Sequence, residues 1–397
     1  MQTTIRATIA LLFTILLAAP PTHAQDAVTP QVRVNGYAQI QFNTTSIDDA
    51  ALGTDDFATS TFETRRVRIF VDVALNEWLS GRIQPEWSMG NFRLVDVYMN
   101  FNIDPRFQLR AGQFKRPFSR FFLIGAPQHL AIEQGVRIRE FDRAMALGLT
   151  GANHPFTEVN GGLIHGTEQD LLGTMGLTGH DMGLAAHGKL GRISYNLSLL
   201  NGTGHDRRDN NDGKSVMTRI SYAPLTDLPL TLSAAASYRE SYFNGTIDGT
   251  ASAGRTLNAT TLGFDLEWGR YRAEGVKFLA GIITGDNLYI DTRIFGAHGV
   301  FAYNQPLGGS RVEALEFVGR ASYGDPNTRR SGDHGILLTP GINLYFSDNN
   351  RLSLNWDTYL SGSDHVATAH ALRIQSQFAF GVPIPGTSTV ASGGGQE

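Results

Sequence analysis

One pattern constrains this chain more than any other: apolar and polar side chains alternate, run after run, from about residue 31 to residue 380. The last run, Ala371-Leu372-Arg373-Ile374-Gln375-Ser376-Gln377-Phe378-Ala379-Phe380, ends on an aromatic. Successive side chains of a strand point to opposite faces, so strict alternation makes a sheet greasy on one side and wet on the other. Closed on itself, with lipid outside and water inside, such a sheet is a transmembrane β-barrel. The expected fold class is therefore all-β, a closed antiparallel transmembrane barrel. A soluble β-sandwich also alternates, but seldom as one unit of this length.

The first 24 residues point to the same destination. Arg6 provides a positive start, 9–19 a short apolar core, and Thr22-His23-Ala24 small residues before a cleavage point at Gln25. This is the pattern of a cleaved signal peptide, and the apolar run is shorter than the ~20 residues needed to span a bilayer. No second helix-length apolar run follows. The chain has no cysteine, so neither a lipid-modified N-terminus nor disulfides nor thiolate metal sites are available to it. A hydrophobic share of 41% beside 44 glycines and 18% charged residues suits a sheet with polar loops. The formal net charge of −4 gives no support to nucleic-acid binding. The expected location is the bacterial outer membrane.

With period two, strands are expected at about 31–43, 64–76, 80–90, 92–103 and 105–114. After a break they resume at about 143–151, 157–166, 180–190, 192–201, 214–223, 228–240, 257–268, 270–282, 293–304, 311–323, 334–347, 350–361 and 366–380. Direct counting thus reaches 18. The expected lipid-facing phase includes Val67, Ile69, Val71 and Val73, then Ile83, Trp87 and Met89, then Val95, Val97, Met99 and Phe101. Long polar connections (44–62, 202–213, 241–256, 324–333) alternate with short turns. The tail 381–397, rich in Gly, Ser, Thr and Pro, has the composition of a disordered segment.

Several stretches resemble the phosphate-selective porin O and P family. Gly112-Gln113-Phe114-Lys115-Arg116-Pro117-Phe118-Ser119 is similar to a recurring motif of that family, and Val95-Asp96-Val97-Tyr98 precedes it. Tyr195 to Gly202, then Asn211-Asp212-Gly213-Lys214, and Gly341-Ile342-Asn343-Leu344-Tyr345 continue the likeness in order. The resemblance implies a homotrimeric outer-membrane porin of 16 strands, with 18 as the alternative from direct counting. The chain is poorer in lysine than the family pattern and carries a tail beyond the terminal aromatic.

The residues that could carry function are basic. Arg33, Arg66, Arg68, Arg82, Arg106 and Arg110 fall on the inward phase of the first five strands, with Lys115 at the end of the fifth. Arg192, Arg219, Arg239, Arg320 and Arg373 are further inward candidates. Guanidinium groups keep their charge and offer a planar fork to phosphate or carboxylate oxygens. A series of them along a pore would bind and release small anionic solutes in turn. The alternative is pairing with Asp72, Glu86 and Asp96 on the same face, which would offset the field. Segment 116–142 is too long for a turn and reads as an inward-folded constriction loop. It would bring Arg116, Arg120, Arg137, Arg139 and Arg143 against Glu133, Glu140 and Asp142.

No H-E-x-x-H, G-x-S-x-G or P-loop motif occurs. Residues 206–213 resemble a calcium loop in composition, but Arg208 stands at the first ligand position and Arg219 at the closing one. The 11 histidines are scattered, and no cofactor is expected. Phe70 and Tyr98, on the inward phase, are candidates for a sugar track. The expected function is passive diffusion of small hydrophilic solutes with a preference for anions, phosphate and polyphosphate being candidates. A general porin without ion preference is the alternative; an outer-membrane barrel enzyme would need a Ser/His/Asp cluster at one rim.

Overall fold

The computed structural model describes residues 30–383 except 49–56, 137–157, 160–161, 164–166, 210, 226–227, 248–249, 290, 333, 348 and 363–367. The chain begins with β1 (Gln31–Asp48), β2 (Phe57–Ala74), β3 (Leu79–Ser88), β4 (Asn91–Asp104) and β5 (Phe107–Lys115). A long connection follows, carrying helix α1 (Arg120–Leu123), a small hairpin of β6 (Glu158–Val159) and β7 (Gly162–Leu163), and helix α2 (Glu168–Thr174). Then come β8 (His180–Leu190), β9 (Ile193–Leu200), β10 (Ser215–Tyr222), β11 (Leu230–Ile247), β12 (Thr250–Trp268) and β13 (Gly275–Asp286). The chain closes with β14 (Arg293–Pro306), β15 (Ala314–Asp325), β16 (Gly335–Ser347), β17 (Asn350–Ser361) and β18 (Thr368–Pro383).

Every strand but β6 and β7 belongs to one closed antiparallel barrel, in which each pairs with its sequence neighbours and β5 pairs with β8. The seam is β1 against β18, from Arg33 opposite Pro383 to Asp48 opposite Thr368. Closure leaves no edge, so every strand can satisfy its backbone polar groups without water. The alternation falls as the sequence demands. Ile40, Ile83, Met99, Phe264, Ile282 and Trp356 are exposed on the outer wall, while Gln39, Gln41 and Asn43 of β1 are buried inside. Among the described residues no helix is long and apolar enough to cross a membrane; the crossing elements are strands.

The barrel has 16 strands, and both surplus segments of the direct count lie in the β5–β8 connection. Residues 143–151 fall outside the described residues, as do 1–24, most of the tail, and Arg137, Arg139, Glu140, Asp142 and Arg143. Of 157–166, the described residues form the two-residue strands of the hairpin, a sheet separate from the barrel ladder. The last strand extends to Pro383, three residues past the expected end.

Two register shifts re-aim side chains of the first strands. Gln39 pairs with Arg66 but Ile40 with Thr64, which leaves Arg65 as an extra residue in β2. Gln84 pairs with Asp96 but Pro85 with Leu94, which leaves Val95 as an extra residue in β4. A bulge of this kind reverses the phase of everything on one side of it.

The β5–β8 connection turns into the barrel. Phe118, Leu171, Leu172, Met175 and Leu177 pack on inward wall residues such as Leu200, Met217, Leu257, Ile283 and Ile294. Phe121 makes a second apolar contact with Leu279, Val300, Ala302 and Val318. This places a hydrophobic core inside the lumen, and it holds residues 116–136 across the pore.

Candidate functional site

Polar wall residues tie the inward loop down. Arg65 Nε and Nη2 donate to the two carboxylate oxygens of Glu133 at 2.7 and 3.0 Å, and Gln41 adds a bond of 2.9 Å. Arg320 donates to the carbonyls of Glu133 and Gln134 (2.5 and 3.1 Å), and Arg351 to that of His129 (2.5 Å). Asn343 donates to Leu130 O at 2.9 Å, and Asn355 Oδ1 accepts from the Ile132 amide at 2.6 Å. These polar anchors come from β1, β2 and β15 to β17, the side of the wall around the seam. The apolar contacts reach the loop from the other side, so it spans the lumen.

Two cavities flank it and share Ile124 and His129. The one toward the long connections has a volume of ≈ 230 Å³ and is lined by Arg65, Arg66, Arg68, Arg93, Lys115 and Arg116, with His129, His180 and His205. Its apolar lining is Val95, Phe122, Ile124 and Ala126, and among the described residues no carboxylate lines it. The second, ≈ 640 Å³ and toward the short turns, includes Arg120, Lys189, Lys277, Glu267, Trp268 and Tyr271.

The cations of the first cavity are unequally occupied. Arg68 and Arg93 both pair with the buried Glu86. Arg116 pairs with Asp181 at 2.8 Å and donates to Thr178 O at 3.0 Å. Lys115 gives its three protons to the carbonyls of Phe122, Leu123 and Ile124, at 3.1, 2.9 and 3.1 Å, so it closes the end of α1. Arg66 is different: it is 8% exposed, has no ion pair among the described residues, and its Nε has no hydrogen-bond partner there. His129 Nδ1 is likewise unpartnered among the described residues, while Gln134 lies 2.8 Å from its Nε2. Burial, then the charges of Lys115 and Arg66, hold His129 well below its usual range, so it sits neutral at the constriction.

The structure thus gathers Arg66, Arg68, Lys115 and Arg116 in one cavity and sets Arg120 in the other. Arg120 pairs with Glu267 of β12 at 2.6 Å. Arg82 pairs with Asp72 at 2.6 Å and lies over the Phe70 ring; Arg110 stacks on Tyr98 at 4.3 Å. Phe70 and Tyr98 are therefore platforms for arginine. Arg33 is exposed near the start of β1. Arg106 is a correction: it sits in the tight turn between β4 and β5, 70% exposed at the side chain and paired with Asp104 at 2.8 Å. The strand begins one residue after it, so the inward phase never reaches it. Arg192 is also an exposed turn residue, bonded to Pro224 O. Arg219, Arg320 and Arg373 do face inward, and each pairs with an aspartate, Asp265 or Asp357. Arg239 faces inward too, donating to Met175 O at 2.5 Å.

Strict alternation missed Arg65 and Arg93, which share the phase expected to face lipid. Val95, expected outward as well, is 3% exposed in the cavity wall. The bulges at Arg65 and Val95 turn all three inward.

A barrel with an inward loop and a basic constriction is matched by the family model described as phosphate-selective porin O and P, over residues 34–262, more than half of the chain. The chain belongs to that family. It is an outer-membrane channel. The porin is similar in fold to the anion-selective porin from Comamonas acidovorans, with a TM-score of 0.55 and 12% identity over 89% of this chain and 100% of that one. It is also similar to Pseudomonas putida OprB (0.57, 9%, 88% and 94%). A third likeness is to the trimer form of OmpT from Vibrio cholerae (0.52, 13%, 89% and 100%). No curated protein matches its sequence.

Proposed function

We propose that this porin passes small hydrophilic solutes passively with a preference for anions, phosphate and polyphosphate among the candidates. The supporting observation is the cavity beside the constriction, where six arginine and lysine side chains meet and no carboxylate among the described residues lines the wall. Low-dielectric walls focus such a field and raise the local anion concentration. Arg66 lines the cavity and has no ion pair among the described residues, so an oxyanion there would be its counter-charge. The family description and the fold likeness to an anion-selective porin support the same reading. Arg66, Arg68, Lys115 and Arg116 would set the field, with Arg120 on the exit side.

A general porin without ion preference is the second reading. It is favoured by the pairing of Arg68, Arg82, Arg93, Arg116 and Arg120 with Glu86, Asp72, Asp181 and Glu267. Reversal potentials across a planar bilayer in a KCl gradient separate the two. Chloride selectivity that added phosphate reduces supports the proposal; equal passage of potassium and chloride refutes it. The porin is further proposed to be a homotrimer, exported by a cleaved signal over residues 1–24.

A further inference from the structure

We infer that the basic cavity favours oxyanions bearing a compact apolar body over bare inorganic phosphate, an inference that rests on the anion-preferring reading. The cavity has two unlike walls. Arg65, Arg66, Arg68 and Arg93 come from β2 and β4; Phe122, Ile124 and Ala126 come from the loop, and Val95 joins them. Val95 is the informative residue. Simple alternation would give it to lipid, and the bulge that brings Arg93 inward also brings an isopropyl group into the wall of the constriction. Phe122 and Ile124 retain partial exposure although both pack on buried neighbours.

A hydrated inorganic anion gains nothing from such a wall, since it forms no favourable contact with carbon. An anion with an apolar body gains twice: its charged group meets Arg66, and its body covers Phe122 and Ile124. The volume agrees. A water molecule needs about 10–15 Å³ on this measure, so ≈ 230 Å³ holds much more than one tetrahedral oxyanion.

Block of the open channel measures this in the full protein. Phenyl phosphate is compared with inorganic phosphate at a pH where both are dianions, and benzoate with acetate, which separates the phosphate from the carboxylate headgroup. The aryl member of each pair is expected to half-block at roughly tenfold lower concentration. Ile124→Thr should bring that ratio close to one, and Arg66→Gln should weaken block by all four. Val95→Thr is the second variant should Ile124→Thr fail to form channels. Equal block by aryl and bare anions, or a ratio that Ile124→Thr and Val95→Thr both leave unchanged, overturns the inference. Loss of the underlying anion preference would show separately, as a reversal potential that does not favour chloride in the unmodified protein.

Discussion

At the residue scale, position among partners decides what an arginine can do. Arg66 stands in the wall with an unpartnered Nε, whereas Arg68, in the same phase of the same strand, is consumed by Glu86. Arg66→Gln is therefore expected to reduce chloride-over-potassium selectivity several-fold, because a desolvated unpaired charge acts through a low effective dielectric. Arg106→Gln should leave selectivity unchanged, since that side chain is screened at the turn. Reversal potentials for the two variants, measured side by side, check both outcomes. Glu133→Gln should have the opposite sign. It releases Arg65 from a two-pronged pair, so anion selectivity should rise while the loop loses ~1.5–3 kcal/mol of anchoring. Increased current noise and easier proteolysis of the loop would report that loss.

At the element scale, the inward loop is held by a few positions that tolerate little. Gly112 lies just before it with φ 132°, and a Cβ there would approach Val97 O to 2.3 Å and the Tyr98 Cα to 2.7 Å. Gly112→Ala is expected to prevent correct pairing of β4 with β5, and the yield of heat-modifiable folded barrel on detergent gels checks it. The other end of the connection is expected to respond to pH. Asp170 of α2 accepts a bond from the Val136 amide at 3.3 Å, and burial pushes its carboxyl up to about 7 against that bond and the Arg320 charge. A carboxyl raised in the fold keeps its proton longer there than in the unfolded chain. Its contribution to stability therefore falls as pH rises from the ordinary carboxylate range to about 7, and is level above that. Protease sensitivity of α2 should increase over that window. Asp170→Asn should remove the increase; an unchanged pH profile in that variant would count against Asp170 as the cause.

For the whole molecule, the closed ladder and the apolar band make the barrel, and the loop makes the pore. The two apolar clusters inside the lumen fasten the loop to β8–β15, and the cavities on its two faces share Ile124 and His129. The outer wall carries large apolar side chains all round, Ile40, Phe264 and Trp356 among them. In a homotrimer a share of these would be covered by neighbouring copies. Cross-linking in mild detergent is expected to give a ladder ending at three copies; monomer alone would contradict the proposed assembly.

Sequence by itself determined the barrel. Alternation is a local property of each strand, so the outward phase of Ile83 and Met99 and the inward phase of Arg68 and Arg110 could be read residue by residue. The bounds of the inward loop at its start, and the family motif around Gly112 to Ser119, were legible for the same reason. The count of 18 was not corrected locally, because Glu158–Val159 and Gly162–Leu163 pair with each other and not with the ladder, and only pairing distinguishes the two cases. Bulges are likewise invisible in one strand, since they are defined by the partner: Arg65 and Val95 are extra only relative to Gln39, Ile40, Gln84 and Pro85. That single geometric fact moved Arg65, Arg93 and Val95 from the expected lipid face to the cavity. Tertiary structure also decided which cations are spent. Glu133, Glu86 and Asp181 reach Arg65, Arg68 and Arg116 from 18 to 68 residues away, a closeness that folding alone creates.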